Sequence, residues 1–197
     1  MPMDVVMVGV GGQGIITMAT VLAEAALRRG YDAVVAETHG LSQRGGSVIV
    51  HVRLGDADAP LIMEGTARLM LALDAIEALR YIGYMARDGV VVVDRRITPP
   101  PLPDIEVPRL GEVLKALEET GVRVYPVSAV ERAVELGNPR AANMYMLGFA
   151  AAINGFEDMV ELEDLEAAVR DRLRDPESNV RILKAGYMDA AKLLAKV

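Results

Sequence analysis

The chain has 197 residues and a formal net charge of -7, with 52% hydrophobic and 4% aromatic residues. A chain of this length suits one large domain whose core is filled mainly by aliphatic side chains. The negative charge argues against a nucleic-acid partner and against docking on anionic membranes, because both need clustered Lys and Arg.

Cysteine is absent from the sequence, and His39 and His51 are the only histidines. The absence excludes disulfides, thiolate nucleophiles and cysteine-bound iron–sulfur clusters within this chain. Two histidines without cysteine also make a zinc site improbable, so we expect no metal site. Neither a signal peptide nor an apolar run of about 20 residues is visible, which predicts a cytoplasmic protein without membrane contact.

Strand and helix patterns alternate from the start of the chain. Residues 5–8 form a β-branched run typical of a buried parallel strand, and residues 15–29 then show helical periodicity before Gly30. A second strand is predicted at residues 33–37. Residues 47–54 have a period of two, with Val and Leu on one face and Ser47, Ile49, His51 and Arg53 on the other, which predicts a half-exposed strand at an edge or in a hairpin.

The remaining elements continue this alternation and then become helical. Strands are predicted at 69–73, 89–94 and 122–127, and helices at 75–85, 111–120, 143–153, 163–173 and 179–195. Asp74 is a predicted N-cap, and Ser128 with Glu131 is a predicted capping box. The order predicts one α/β domain over residues 1–197, with a Rossmann-like, mainly parallel sheet, helices on both faces and a helical C-terminal part.

A glycine turn lies between the first predicted strand and helix, where Gly9, Gly11 and Gly14 match G-x-G-x-x-G. In this motif Gly9 permits the tight turn, Gly11 lets the backbone approach an anion, and Gly14 lets the helix sit close to the strand. Unpaired N–H groups at the helix start can donate to a phosphate. Glycines that serve only a close strand–helix crossing give the same pattern, so both interpretations stay open.

A polar loop at residues 38–46, THGLSQRGG, follows the second strand at the same sheet edge. Its candidate ligand contacts are Gln43, Arg44, Gly45 and Gly46, which offer hydrogen bonds, a planar cationic fork and close backbone approach. Glu37 ends the strand where a ribose-binding carboxylate lies in dinucleotide-binding proteins, so an NAD site is also possible. A solvated loop with Arg44 paired to a surface acid is the remaining alternative.

The GVGGQG turn at 9–14, the SQRGGSV loop at 42–48 and the NMYMLG segment at 143–148 resemble one family together. That family is the gamma-type module of 2-oxoacid:ferredoxin oxidoreductases, and the indolepyruvate branch is the most similar. The resemblance covers essentially the whole chain. It implies a reaction in which a 2-oxoacid is decarboxylated on thiamine diphosphate, electrons pass through iron–sulfur clusters to ferredoxin, and the acyl group goes to coenzyme A.

The resemblance also implies a division of labour between subunits. This chain has no cysteine for clusters, and residues 55–57 do not continue the family's thiamine-binding motif. We therefore expect an enzyme subunit without catalytic residues, inactive alone. An alpha-type partner subunit would hold thiamine diphosphate and the clusters, and ferredoxin would be reached through the complex. A stand-alone NAD(P)-binding Rossmann protein or redox sensor, and a purely structural interaction module, are the alternatives.

Coenzyme A is the small ligand that the resemblance suggests for this chain, through its phosphates; packing of the glycine turn against the partner is the alternative. The predicted contact residues are Gly9, Gly11, Gly12, Gln13, Gly14, Gln43, Arg44, Gly45 and Gly46. Asn143 is a weaker candidate, because an asparagine at a helix start can simply be the cap. An aryl pyruvate substrate is favoured by the resemblance alone, and the subunit stoichiometry stays open.

Overall fold

The computed structural model describes residues 2–39, 46–99 and 106–196, without the side chain of His39. The strands are β1 Met3–Val10, β2 Ala33–His39, β3 Ser47–Leu54, β4 Ala67–Ala72, β5 Met85–Asp94 and β6 Arg123–Val127. The helices are α1 Ile15–Arg28, α2 Ala75–Arg80, α3 Leu110–Glu119, α4 Ala129–Glu135, α5 Ala142–Ala152, α6 Leu162–Arg172 and α7 Pro176–Leu194. Two short 3₁₀ helices, Ile82–Tyr84 and Pro139–Ala141, precede β5 and α5.

The strands form one six-stranded sheet in the order β2-β3-β1-β4-β5-β6. Strand β1 pairs in parallel with β4, β4 with β5, and β5 with β6. Strand β3 lies between β1 and β2 and is antiparallel to both. The predicted α/β fold with a mostly parallel sheet is confirmed, and the antiparallel pairs arise because β2 and β3 form a hairpin.

Residues 47–54 form a hairpin strand, as one predicted alternative has it, but the predicted half-exposure and the edge alternative are wrong. Strand β3 is internal, and His51 on its polar face is only 2% exposed. The His51 Nδ1 atom accepts a hydrogen bond from the Ile62 amide at 3.3 Å, and its ring meets Tyr84 edge-on at 5.3 Å. Arg53 donates to Asp4 at 2.7 Å. On this face His51 is therefore buried and Arg53 partly buried, each with a protein hydrogen-bond partner.

Helices cover both faces of the sheet, as predicted. Alternate strand residues such as Met7 and Leu71 pack against α1 and the C-terminal helices. Their neighbours in the strands, such as Val8 and Met70, pack against α2 and α3. Helix α5 is buried along most of its length, which explains why its sequence is apolar all round. The helical C-terminal part therefore forms a second layer on one face of the sheet.

Two caps hold the helices that start at the carboxyl edge of the sheet. Asp74 Oδ1 accepts from the amide of Ile76 at 2.9 Å, so the predicted N-cap is confirmed. Ser128 is the N-cap residue of α4, but its side chain makes no cap hydrogen bond. Instead, Asp94 Oδ2 accepts from the amide of Val130 at 3.1 Å. The predicted Ser128 capping box is wrong because a buried carboxylate from β5 satisfies that helix start.

Candidate functional site

The glycine turn joins β1 to α1 at the carboxyl edge of the sheet. Gly12 and Gly14 have left-handed backbone angles, with φ of 101° and 81°, which side-chain-bearing residues rarely adopt. Gly9 differs, because a Cβ there would lie 2.5 Å from Gln13 Oε1 and from Ile15 Cδ1. The predicted role of Gly9 in the tight turn therefore belongs to Gly12 and Gly14, whereas Gly9 permits close packing.

Hydrogen bonds within the turn decide which amides are free for a ligand. Gln13 Oε1 accepts from the Val10 amide at 2.8 Å, so this side chain stabilises the turn by a hydrogen bond within it. The Gly11 amide donates to the Gly46 carbonyl at 2.8 Å. No group in the described part of the chain accepts from the amides of Gly12 or Gly14. These two N–H groups are therefore available to an anion.

The predicted loop residues are only partly visible. Gly46 is described, and its carbonyl ties the end of the loop to the glycine turn through Gly11. Gln43, Arg44 and Gly45 lie outside the described residues. Their predicted role as ligand contacts stays a prediction.

Asn143 lies next to the glycine turn although 129 positions separate it from Gly14. Its Nδ2 atom donates to the Gly14 carbonyl at 3.0 Å, and its Oδ1 atom accepts from the Met144 amide at 2.9 Å. The N-cap residue of α5 is Ala141, so the simple cap expected of Asn143 is not what the structure has. This buried side chain connects the start of α5 to the start of α1.

A cleft of about 840 Å³ opens beside the glycine turn. Arg96, Arg140 and Arg174 line it, together with one acidic residue, Asp175. Among the described residues, no ion pair involves any of the three arginines, and all three are exposed. The Asp175 carboxylate instead accepts from the Ser178 amide and caps α7. The cleft therefore has an excess of positive charge in a chain whose net charge is negative.

Three helix starts also contribute residues to this cleft. Gly14 precedes α1, Ala142 begins α5, and Asp175 precedes α7, and all three residues line the cleft. Helix starts carry partial positive charge from unpaired amides. Their field adds to that of the arginines, so the arrangement can bind an anion with several negative charges.

Two buried carboxylates position the segment that carries Arg96. Asp74 Oδ2 accepts from the Thr98 amide at 2.6 Å, and Asp94 Oδ1 accepts from the Arg96 amide at 2.9 Å. Burial raises the pKa of Asp94, and the backbone hydrogen bonds that it accepts oppose this shift. Because both acids bind backbone amides, they fix the chain while the Arg96 side chain stays free to contact a ligand.

Glu37 lies on the far side of the turn. It borders a second hollow of about 480 Å³ together with Gly12, Ile16 and Val48. Strand β3 separates β2 from β1, so Glu37 is one strand further from the turn than in a sheet where the first two strands are neighbours. This insertion weakens the case for a ribose-binding carboxylate.

The described residues contain no group of three or more His, Asp or Glu side chains that could hold a metal ion. Within the same ranges, no helix is both long and apolar enough to cross a membrane. The arginines were missed by the sequence predictions, because Arg96, Arg140 and Arg174 are far apart in the chain and belong to no short motif.

Comparison with known proteins identifies similar chains over nearly the whole length. The family model for pyruvate ferredoxin/flavodoxin oxidoreductase matches residues 4–188. The indolepyruvate oxidoreductase subunit IorB of Archaeoglobus fulgidus is 41% identical, over 96% of each chain. The subunit of the same name from Methanothermobacter thermautotrophicus is 37% identical, over 93% of this chain and 95% of the relative.

Solved structures share the fold. The gamma subunit of a keto/oxoacid ferredoxin oxidoreductase from Geobacter sulfurreducens has a TM-score of 0.72 at 23% identity, covering 96% of this chain and 98% of its own. A 2-oxoglutarate:ferredoxin oxidoreductase from Magnetococcus marinus, solved with 2-oxoglutarate, coenzyme A and succinyl-CoA bound, has a TM-score of 0.71 at 21% identity. It covers all of this chain, which matches 32% of that larger chain.

Proposed function

Since the chain belongs to the pyruvate ferredoxin/flavodoxin oxidoreductase family and is a subunit of a ferredoxin-dependent 2-oxoacid oxidoreductase, we propose that its cleft binds coenzyme A. In this role the whole chain, residues 1–197, acts as one gamma-type domain. It serves an alpha-type partner subunit that carries out the oxidative decarboxylation.

The observation that carries this proposal is the cleft with its three arginines beside the free amides of Gly12 and Gly14. Coenzyme A is a polyanion, with a 5′-diphosphate and a 3′-phosphate on its adenosine. Arginine forks and helix-start amides are the groups that bind phosphates best in proteins. A cleft of this volume also lies in the range of about 300–1,000 Å³ that is usual for cofactor sites.

Residues of the glycine turn have distinct parts in the proposed site. Gly12 and Gly14 offer their amides to the diphosphate, and Arg96 neutralises charge on it. Gly9, Gln13 and Gly46 keep the turn in place, as does Gly11, whose amide already donates to Gly46. Asn143 acts as a positioning residue, because it fixes the Gly14 carbonyl.

The partner subunit supplies what this sequence lacks. With no cysteine, the chain cannot ligate the iron–sulfur clusters that pass electrons to ferredoxin. Thiamine diphosphate, when bound to the partner, supplies the chemistry that releases carbon dioxide from a 2-oxoacid and leaves an acyl group for coenzyme A. The substrate is proposed to be an aryl pyruvate such as indolepyruvate, after the names of the relatives. We also propose a cytoplasmic location for the complex.

Titration calorimetry on the full-length chain tests the ligand. We expect coenzyme A to bind and NADH and NADPH not to bind. Arg96→Gln should weaken coenzyme A binding about tenfold, because a charge-assisted hydrogen bond is lost. Arg123→Gln is the matched control, since Arg123 is exposed at the start of β6, at the opposite end of the strands. Micromolar NADH binding would favour the stand-alone nucleotide-binding alternative instead.

Co-purification tests the partner. The chain, tagged and expressed in its native host, should recover a second subunit that contains iron, acid-labile sulfide and thiamine diphosphate. The recovered complex should reduce ferredoxin with indolepyruvate only when coenzyme A is present. Recovery of the tagged chain solely as a free monomer would contradict the proposed division of labour.

A further inference from the structure

The three arginines of the cleft come from two different walls. Arg96 follows β5 at the carboxyl edge of the sheet, the edge that also carries the glycine turn. Arg140 lies in the 3₁₀ helix before α5, and Arg174 lies between α6 and α7. The cleft thus has a sheet wall with one arginine and a helical wall with two.

The helical wall is fixed against the turn and helix α1 by contacts that do not use its two arginines. Asn143 donates to the Gly14 carbonyl only three residues after Arg140. Arg172, two residues before Arg174, pairs with Glu24 of α1. Arg140 and Arg174 are therefore held close to α1 by neighbouring residues, while their own guanidinium groups have no ion-pair partner among the described residues.

One wall has a single arginine and the other has two, and this matches the different charges of the two kinds of phosphate group in coenzyme A. A diphosphate that links two carbon groups carries one negative charge on each phosphorus, which suits Arg96 and the turn amides. A terminal monoester phosphate carries nearly two charges at neutral pH and three acceptor oxygens. Two arginine forks without competing carboxylates suit such a dianion.

We propose that Arg140 and Arg174 bind the 3′-phosphate of coenzyme A and so make the cleft selective for 3′-phosphorylated adenine nucleotides. The assignment rests on the proposed function of the cleft. The ribose ring holds the 3′-phosphate apart from the 5′-diphosphate, so a ligand whose diphosphate lies on the turn has a separate anion to place on the other wall. Asp175, at the start of α7, turns its carboxylate to the Ser178 amide.

The experiment compares coenzyme A with 3′-dephospho-coenzyme A on the enzyme assembled with its partner subunits. Calorimetry should give a dissociation constant about tenfold or more lower for coenzyme A than for the dephospho compound. Arg140→Gln and Arg174→Gln should each weaken coenzyme A binding toward the dephospho value. Neither variant should change the affinity for 3′-dephospho-coenzyme A by more than about twofold.

Arg123→Gln should change neither dissociation constant, which separates a contact with the 3′-phosphate from a general loss of positive charge. The assignment would be overturned if Arg140→Gln and Arg174→Gln lowered the affinity for both ligands equally. It would also be overturned if the unmodified enzyme had equal affinity for both ligands. Either of these two results would overturn only the 3′-phosphate assignment, and the proposal that the cleft binds coenzyme A would stand. Failure of the assembled enzyme to bind coenzyme A at all would overturn the proposed function and this assignment with it.

Discussion

At the scale of single residues, the contact between Asn143 and Gly14 holds both residues in position. The side-chain amide of Asn143 donates to the Gly14 carbonyl, and that carbonyl also accepts from the Met18 amide at 3.0 Å. A Cβ on Gly14 would lie 2.6 Å from Asn143 Nδ2, so there is room for the amide only because residue 14 is glycine. This contact sets the distance between α5 and the turn that lines the cleft.

Replacing Asn143 by aspartate tests this pair. Asn143→Asp puts a carboxylate oxygen where the Nδ2 donor faces the Gly14 carbonyl, and it adds a negative charge beside the arginines. We expect the free energy of unfolding to fall by about 1–3 kcal/mol. Affinity for coenzyme A should fall more than about tenfold. Urea denaturation and calorimetry measure the two effects.

Asn154→Asp provides the control for Asn143→Asp. Asn154 Oδ1 accepts from the Asp158 amide at 3.1 Å, and a carboxylate keeps that hydrogen bond. Asn154 follows α5 in the chain and is not among the residues that line the cleft. Similar losses of coenzyme A affinity in both variants would show that net charge, not the contact with Gly14, is responsible.

The sequence located the glycine turn because its residues are contiguous, but it could not locate the arginines. Gly9 to Gly14 form a short motif whose backbone demands are visible in the letters themselves. Arg96, Arg140 and Arg174 meet only after the sheet order and helix packing are formed. The family resemblance makes Asn143 a candidate, and its place at a helix start predicts only a cap, whereas its actual partner is far away in the chain. A site built from contiguous residues is therefore predictable from this sequence, whereas a site built from residues that meet only in the folded chain is not.

At the scale of elements, helices α5 and α7 cross with their backbones in contact. A Cβ on Gly148 would lie 1.9 Å from the Leu183 carbonyl oxygen, and a Cβ on Gly186 would lie 2.1 Å from the Tyr145 carbonyl oxygen. Neither glycine has a left-handed backbone, so the requirement comes from packing alone. The start of α5, which carries Asn143, depends on this crossing for its position.

Gly148→Ala should therefore be strongly destabilising. The new methyl group would meet backbone atoms of α7, which cannot move aside as a side-chain end can, so we expect a loss of about 3 kcal/mol, the upper end of the usual cost of overpacking. Gly111→Ala is the matched control, because Gly111 is an exposed residue of α3 with nothing within 4 Å of its added Cβ. That variant should be unchanged or stabilised by up to about 1 kcal/mol. Thermal unfolding of both variants measures the difference, and equal melting temperatures would contradict the packing argument.

Elements were predicted well wherever hydrophobic periodicity was strong, and the exceptions have physical causes. The period of two in residues 47–54 is typical of a strand with one solvent-exposed face, but on that face of β3 His51 is buried and Arg53 is partly buried, each with a hydrogen-bond partner. Those partners are Ile62, in the connection between β3 and β4, and Asp4, in β1, so the pattern of residues 47–54 alone could not show them. The helix predicted at 75–85 ends at Arg80, and a 3₁₀ turn, Ile82–Tyr84, connects it to β5, which begins at Met85.

At the scale of the whole molecule, charge is distributed unevenly. The chain is acidic overall, yet the cleft is lined by three arginines and one acid. Many of the other acids lie in ion pairs that join helices, such as Arg29 with Glu161 and Arg132 with Asp189. Exposed pairs of this kind contribute little stability individually. Their larger effect is to leave the cleft as a local positive field that attracts anionic ligands.

Stability of the whole molecule should depend on pH through His51. Burial lowers its pKa, and the nearby Asp4 only partly opposes this, so the folded state keeps the ring neutral where the unfolded state takes up a proton. As pH falls below the unfolded value of about 6.5, the free energy of unfolding should decrease, by up to about 1.4 kcal/mol per pH unit. Urea denaturation at about pH 7.5 and pH 5.5 should show this decrease in the unmodified chain and in His39→Gln but much less in His51→Gln, whose amide oxygen can still accept from Ile62. A decrease of equal size in all three proteins would assign the pH dependence to carboxylates instead.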